Sequence, residues 1–411
     1  MNVVLATSSF KGGGITSYAH ELINCYSKGN NFSVIIGDDS QSPINQENVT
    51  VYKYDCSDLS FTNICNIVNL INEEIKPDIV IASCAKVISL ALPYLNDTIR
   101  VVAVSHSLKY IEADLAAFNY QYSDVVIALS GFNKAYLDKT FKIKDKNKVK
   151  VVYNFVREYP LANELLEKKK QRKTVNIVFP GGAAASKAPE IVVQVVNRLV
   201  DTDLEYNFYW LGNTQVHLIR YFPLFAKKDI KNVVKRDSRI IFTGKVSRSE
   251  AEEIIANADV FLSPSRREGC PMSLIEAMRV GVIPIVADFD NANKEIIKDS
   301  QNGFVVNRND IERFVSVIKE IILHKNHFYS IYDKSVETYY QELCYDTWKT
   351  KMDEYVFQGA CSHKKRGKTI CKRNYRKDLR RFRFMQQKDT FMFLIQEPLR
   401  LLFKIQSFKK H

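Results

Sequence analysis

The sequence predicts an α/β chain of two doubly wound domains, each a parallel sheet wrapped by helices, with a basic extension behind them. Three observations carry this prediction. Short apolar runs alternate with longer amphipathic segments, the alternation breaks once near the middle, and the net positive charge gathers at the end. A length of 411 residues with 46% apolar side chains exceeds one ordinary core and suits two.

In the first domain, residues 1–156, the runs NVVLA (2–6), FSVII (32–36), VTVYKY (49–54), DIVIA (78–82), RVVAVS (100–105), DVVIAL (124–129) and VKVVYN (149–154) read as strands. Between them, segments 15–28 and 61–76 carry apolar residues at helical spacing. The polar stretch 157–173, with NELLEKKKQRK, reads as a linker. The rhythm resumes in a second domain, 174–358, with VNIVFP (175–180), EYNFYWLG (205–212), RIIFTG (239–244), DVFLSP (259–264) and VIPIVAD (282–288). From Asp310 to about Phe357 the chain turns helical, and 359–411 form the extension. The opening MNVVLATSSF lacks the basic and long apolar regions of a signal peptide and reads as a first strand. No run reaches the roughly twenty apolar residues a spanning helix needs.

The net charge of +13 belongs to the extension. From Cys361 onward stand sixteen Lys or Arg against three acids, so the first 360 residues balance at 43 of each sign. HKKRGKTICKRNYRKDLRRFRF leads into FMFLIQEPLRLLFKIQSFKK, a cationic stretch followed by broken apolar pieces, which suits docking on an anionic membrane surface. The bland alternative is a solvated tail whose helix packs on its own protein. Nucleic acid is disfavoured, because the neutral body has no accompanying motif. The eight cysteines are scattered, with no CxxC pair, as in a reducing cytoplasm. Cys361, His363 and Cys371 match no standard zinc spacing, so no metal is expected.

The richest segment is SRREGCPMSLIEAMRVGVIPIVAD, residues 265–288. Phe261–Ser265 should bring the chain to a strand end, and a helix should start at about Ser273 and close at Gly281. Amides of its first turn would be unpaired and favour a phosphate. Glu268, on the loop, can accept hydrogen bonds from sugar hydroxyls, and Glu276, one turn in, from a ribose. Ser273-Leu-Ile-Glu276 also fits a capping box, in which the acid only satisfies a backbone amide. Gly12-Gly13-Gly14 after the first strand either lets the backbone approach a phosphate or acceptor or is merely a flexible turn. It is not a full GxGxxG, which counts against a dinucleotide dehydrogenase. His106 closes a predicted strand, where a lone His is either structural or a ligand-binding group.

ADVFLSPSRREGCPMSLIEAMRVGVIPIVAD resembles the signature of the retaining glycosyltransferases of family 4, also called glycosyl transferases group 1, which have the two-domain GT-B fold. Glu268 and Glu276 match their Glu-x7-Glu motif, and Glu268-Gly269-Cys270-Pro271 their Glu-Gly-x-Pro start. Further landmarks follow in order: Gly12–Gly14, His106, VVYN to Asn154, FPGG then Lys187, TGKV at 243–246 and NGFVV at 302–306. The resemblance covers about residues 1–357. It implies a catalytic set of His106, Lys187 and Glu268, with Glu268 on the donor sugar, Glu276 on the ribose and Lys187 on the pyrophosphate. Gly13, Gly14, Gly182, Gly269, Cys270, Met272, Ser273 and Leu274 complete the implied donor contacts. The family's pyrophosphate Arg falls on Gly182, a departure for which Lys245 or Arg266 would have to compensate.

The expected function is a retaining, metal-independent transfer of a hexose from a nucleotide sugar to a surface polysaccharide or lipid-linked oligosaccharide. No cofactor is expected beyond that donor, and the place of work is the cytoplasmic face of the cell membrane. Two alternatives stay open: a nucleotide-sugar epimerase of the same fold, and a noncatalytic nucleotide-sugar-binding subunit.

Overall fold

In the computed structural model, which describes residues 1–7, 14–37, 46–55, 58–106, 116–215, 229–359, 361 and 366–385, each of the twelve predicted apolar runs forms a strand. The chain divides into two units. The first gathers 1–128, 134–150 and 355 onward, and the second 129–133 and 151–354.

The first unit holds β1 (Asn2–Thr7), β2 (Asn31–Ile36), β3 (Val49–Lys53), β4 (Ile79–Ser83), β5 (Arg100–Ser105), β6 (Val125–Ala128) and β7 (Val149–Val151) in the order β3-β2-β1-β4-β5-β6-β7. Its central strands read as apolar runs because helices cover both faces. Val4, Ala6, Val80 and Val101 pack against Ile64, Ile67, Val87 and Ile88 of the flanking helices. The second unit holds β8 (Val175–Phe179), β9 (Tyr206–Leu211), β10 (Ile240–Gly244), β11 (Val260–Ser263), β12 (Ile283–Ala287) and β13 (Phe304–Val306) in the order β10-β9-β8-β11-β12-β13. Helix Pro189–Val200 buries Val192, Val195, Val196 and Leu199 against Ile177, Phe208 and Trp210. β13 was not among the expected strands: three residues between a turn and a polar stretch give too short a run to announce one.

One expected segment is corrected. The linker expected at 157–173 contains the helix Ala162–Gln171, built from strong helix formers with Lys168, Lys169 and Lys170 in the last turn, where they complement the dipole. Its inner side buries Leu166 and Lys169, whose ammonium donates to the Val280 carbonyl at 2.9 Å.

For the extension, membrane docking and packing of its helix on the protein itself both stood open. Its described part belongs to the first unit. The chain returns at Tyr355, where the Arg100 guanidinium donates to the carbonyls of Tyr355 (2.7 Å) and Val356 (2.9 Å). Arg366 is buried against Asp124 at 3.1 Å. A helix over 372–385 follows, and Tyr375 and Phe382 join the core around β1 and β4. The Tyr375 hydroxyl donates to the Leu59 carbonyl at 2.5 Å, and Phe382 stands edge-on to Phe118 with centroids 5.1 Å apart. Among the described residues no helix is long and apolar enough to cross a membrane.

A chain ending at Ala360 is therefore expected to lose stability or aggregate, since it uncovers apolar core. In the full chain, Phe382→Ala should cost about 3 kcal/mol in urea unfolding, the usual scale for emptying a buried aromatic site. An unchanged midpoint for Phe382→Ala would show the helix to be merely laid on the surface.

Candidate donor site of the second unit

β8 and β11 lie side by side, yet the chain proceeds from β8 outward to β9 and β10 and from β11 outward to β12 and β13. Connections that leave neighbouring strands in opposite directions open a crevice at the carboxyl ends, where doubly wound sheets take ligands. Two loops border it: 180–188, after β8, and 264–271, after β11.

The loops bring together the two charged residues singled out above. Lys187 ends a 3₁₀ turn, Ala185–Lys187, and its Nζ lies 2.5 Å from Glu268 Oε1. The side chains keep 28% and 10% of their accessibility, so the pair is sheltered and still reachable. Arg266 joins the loops from the other side. Its amide donates to the Ser186 carbonyl at 2.7 Å, and its guanidinium donates to the Ala185 carbonyl at 2.8 Å and pairs with Glu190. Two cations and two carboxylates thus neutralise one another around the crevice mouth.

Gly182 has φ +52°, and a Cβ there would stand 2.8 Å from the Asn213 carbonyl oxygen. That backbone is pinned, with the Gly182 amide donating to Leu211 at 2.9 Å and the Ala183 amide to Asn213 at 2.7 Å. No side chain fits at this position, which accounts for the missing Arg. Of the two named substitutes, Arg266 is on the same loops, whereas Lys245 follows β10 at the sheet edge and is exposed.

The loop after β11 is braced by amide side chains that the sequence reading passed over. Asn154, buried, donates from Nδ2 to the Cys270 carbonyl at 2.8 Å and from its amide to Cys270 Sγ at 3.2 Å. Burial pushes the Cys270 thiol up to about 12, so it is a packing group and no nucleophile. Asn291 donates to the Ser265 carbonyl at 2.8 Å and Asn293 to Ser263 Oγ at 2.9 Å, both fully buried. Asn154 was visible only as the end of VVYN, and Asn291 and Asn293 only as a polar cluster after VIPIVAD. The Glu268 carbonyl accepts from the Ala292 amide at 3.2 Å.

The helix after this loop spans Met272–Met278 with Pro271 at its N-cap and no side-chain cap bond. Ser273 therefore lies inside the first turn, and the capping-box alternative for Glu276 falls. Met272, Ser273 and Glu276 are partly exposed and Leu274 is buried. Burial raises the Glu276 carboxyl above its ordinary range, while nearby Arg248 and Arg279 pull it down. Gly269 and Cys270 are buried in the loop.

In the first unit the order reverses between β1 and β4, and Gly14 starts the helix Gly14–Tyr26 that follows β1. Gly12 and Gly13 lie outside the described residues. His106 follows β5, where its Nε2 meets Ser83 Oγ at 2.8 Å and its ring stands edge-on to Tyr18 at 4.8 Å. Burial lowers its pKa to about 4, so the imidazole is neutral at neutral pH and a weak base.

The family described as Glycosyl transferases group 1 matches residues 163–335, and Glycosyltransferase Family 4 matches 12–158. An uncharacterized 41.2 kDa protein in the cps region of Klebsiella pneumoniae is 29% identical over 221 residues, 52% of this chain and 55% of that one. A UDP-Gal:alpha-D-GlcNAc-diphosphoundecaprenol alpha-1,3-galactosyltransferase of Escherichia coli is 32% identical over 74 residues, 18% and 19% of the two chains. The chain spans about half the length of the first of these curated relatives and less of the second. Among solved structures, Anabaena HepE in complex with UDP and glucose superposes with a TM-score of 0.65 at 14% identity, covering 87% of this chain and all of that one. The lipopolysaccharide outer core galactosyltransferase WaaB also gives 0.65, at 17% identity over 87% and 99%.

His106 generates a pH prediction. It is neutral when folded, with a pKa near 4 against 6.5 when free, so between those values the unfolded chain binds the extra proton. Stability should fall as pH drops through that window, by about 3 kcal/mol in all. His106→Asn should flatten this slope in urea titrations from pH 7 to 4, and a slope that persists would contradict the assignment.

Proposed function

This chain belongs to the glycosyltransferases of the GT-B fold, and from that premise we propose that it transfers a hexose, with retention, from a nucleoside diphosphate sugar to a surface polysaccharide or lipid-linked oligosaccharide. The observation that carries the proposal is the meeting of Lys187 and Glu268 across the β8/β11 crevice. The relatives support the donor and acceptor classes: one solved neighbour holds UDP and glucose, one relative comes from a cps region, and another acts on a diphosphoundecaprenol-linked sugar.

On this reading Lys187 and Arg266 take the diphosphate and Glu268 accepts from sugar hydroxyls once Lys187 has turned to the phosphate. Glu276, which carries no hydrogen bond among the described residues, accepts from the ribose. Negative charge grows on the departing diphosphate as the bond from the anomeric carbon breaks, and preorganised cations stabilise that charge. The acceptor oxygen bonds the same carbon from the same face, and its proton passes to the released phosphate oxygen, so His106 acts as a neutral hydrogen-bonding group. No cofactor enters this scheme, and no metal is required by it. Work on a lipid-linked acceptor places the protein at the cytoplasmic face of the membrane.

Glu276→Gln should weaken nucleotide-sugar binding about tenfold or more, the scale of a charged hydrogen bond, with an unchanged melting temperature. Calorimetric titration beside a melting curve checks it, and full affinity in the variant would remove Glu276 from the site.

For the reaction itself, purified protein is incubated with a panel of radiolabelled nucleotide sugars, with and without membrane extract and with excess EDTA. The expected result is acceptor-dependent incorporation that survives the chelator. Interconversion without acceptor would instead indicate an epimerase, and saturable binding without turnover a noncatalytic subunit. Activity lost to EDTA and restored by manganese would overturn metal independence.

A further inference from the structure

We infer that the outward face of the C-terminal helix, residues 372–385, is the surface by which this protein docks on anionic lipid. The inference deepens the membrane-side reading above and rests on it. The helix is divided lengthwise. Tyr375, Leu379, Phe382 and Met385 recur at helical spacing on the inward side, and all four belong to or pack on the first unit's core. The outward side carries Lys372, Arg373, Arg376, Lys377, Arg380 and Arg383, all exposed, and none of the six forms a salt bridge among the described residues. Arg381, also exposed, leans on Phe118 and donates to its carbonyl at 2.8 Å. The helix has one acid, Asp378, and it is spent inward, accepting from the Tyr94 hydroxyl at 3.2 Å.

Packing alone does not call for this arrangement. Lys372, Arg376 and Arg380 stand four residues apart along one stripe, where like charges destabilise a helix. The repulsion is tolerated because the inward contacts hold the helix, and it is relieved by any dense array of anions. A face fixed in advance binds without paying to order itself. Phosphate-bearing partners include nucleic acid as well as lipid, and Phe384 favours lipid. It is 69% exposed amid the cations, where an aromatic ring can enter the headgroup boundary. The sequence beyond Met385 continues with FMFLI and LLF, further apolar material of the kind an interface accepts.

The test uses the full chain and vesicles of phosphatidylcholine with or without phosphatidylglycerol, sedimented at low and high salt. The protein should pellet with the anionic vesicles only, and less at high salt. Replacing Lys372, Arg373, Arg376 and Arg380 together by Gln should weaken this by about several hundredfold at low salt, since each charge near an anionic surface contributes about fivefold. Phe384→Ser should weaken it several-fold, and both variants should keep the wild-type melting temperature and nucleotide-sugar affinity. If the quadruple variant pellets like the wild type, while Ser at Leu401, Leu402 and Phe403 abolishes pelleting, the membrane reading stands and this surface is wrong. Tighter binding of a short duplex DNA than of anionic vesicles, with Phe384→Ser without effect, would assign the face to nucleic acid and overturn the proposal. No pelleting of the wild type with any vesicle would overturn both the surface and the membrane-side reading, leaving the donor site to its own assays.

Discussion

The candidate site of the second unit depends on a topological constraint: β8 and β11 are neighbours, and their connections must part. A right-handed crossover from β8 carries the chain to one side of the sheet, and the same rule carries it from β11 to the other. The loops after β8 and β11 border the space between the two departures. They bring Lys187 and Glu268 together. Residues 81 positions apart are thus placed in contact by strand order, and each loop needs only a few residues to reach the crevice.

Loops cannot hold such a geometry unaided, because their backbone groups lack the regular partners of helix and sheet. Here buried amides supply them. Asn154, Asn291 and Asn293 each use a side chain with both donors and acceptors to satisfy carbonyls or hydroxyls of the β11 loop. Gly182 does the equivalent on the β8 loop by subtraction, giving up its side chain so that the loop can lie against Asn213. On the proposed reading, Arg266 takes the role that a side chain at 182 cannot have. Its guanidinium is held by Glu190 and the Ala185 carbonyl, close to Lys187 in the same turn.

The strands were legible in the sequence because a buried parallel sheet demands unbroken apolar runs, and few other structures do. Lys187 and Glu268 were each singled out through the family resemblance, but not as partners of one another. What escaped depends on tertiary contacts that leave little local trace. Buried Asn residues look the same in sequence as solvated ones. Residues 162–171 read as a linker because the stretch is strongly polar, although its Leu, Glu and Lys residues favour a helix. The helix at 372–385 is different, since its signal was present: Tyr375, Leu379 and Phe382 lie four and three residues apart. The surrounding cations mask that period, so the segment reads equally as a membrane-docking face and as a helix packed on its own protein.

If Lys187 and Glu268 serve different parts of one ligand, as proposed, their pairing lets the opposite charges coexist before it binds. A sheltered ammonium or carboxylate alone would be costly, and removing either partner leaves the other uncompensated. Together they satisfy each other, as do Arg266 and Glu190 a few residues away. A diphosphate offers Lys187 more negative charge than one carboxylate does, and sugar hydroxyls offer Glu268 donors in exchange for the one it loses. On the proposed reading, a donor carrying both groups exchanges one satisfied network for another. A free sugar could not draw the ammonium away, and a free phosphate would leave Glu268 without a donor. On that reading, discrimination for the intact nucleotide sugar would reside in the resting pair itself.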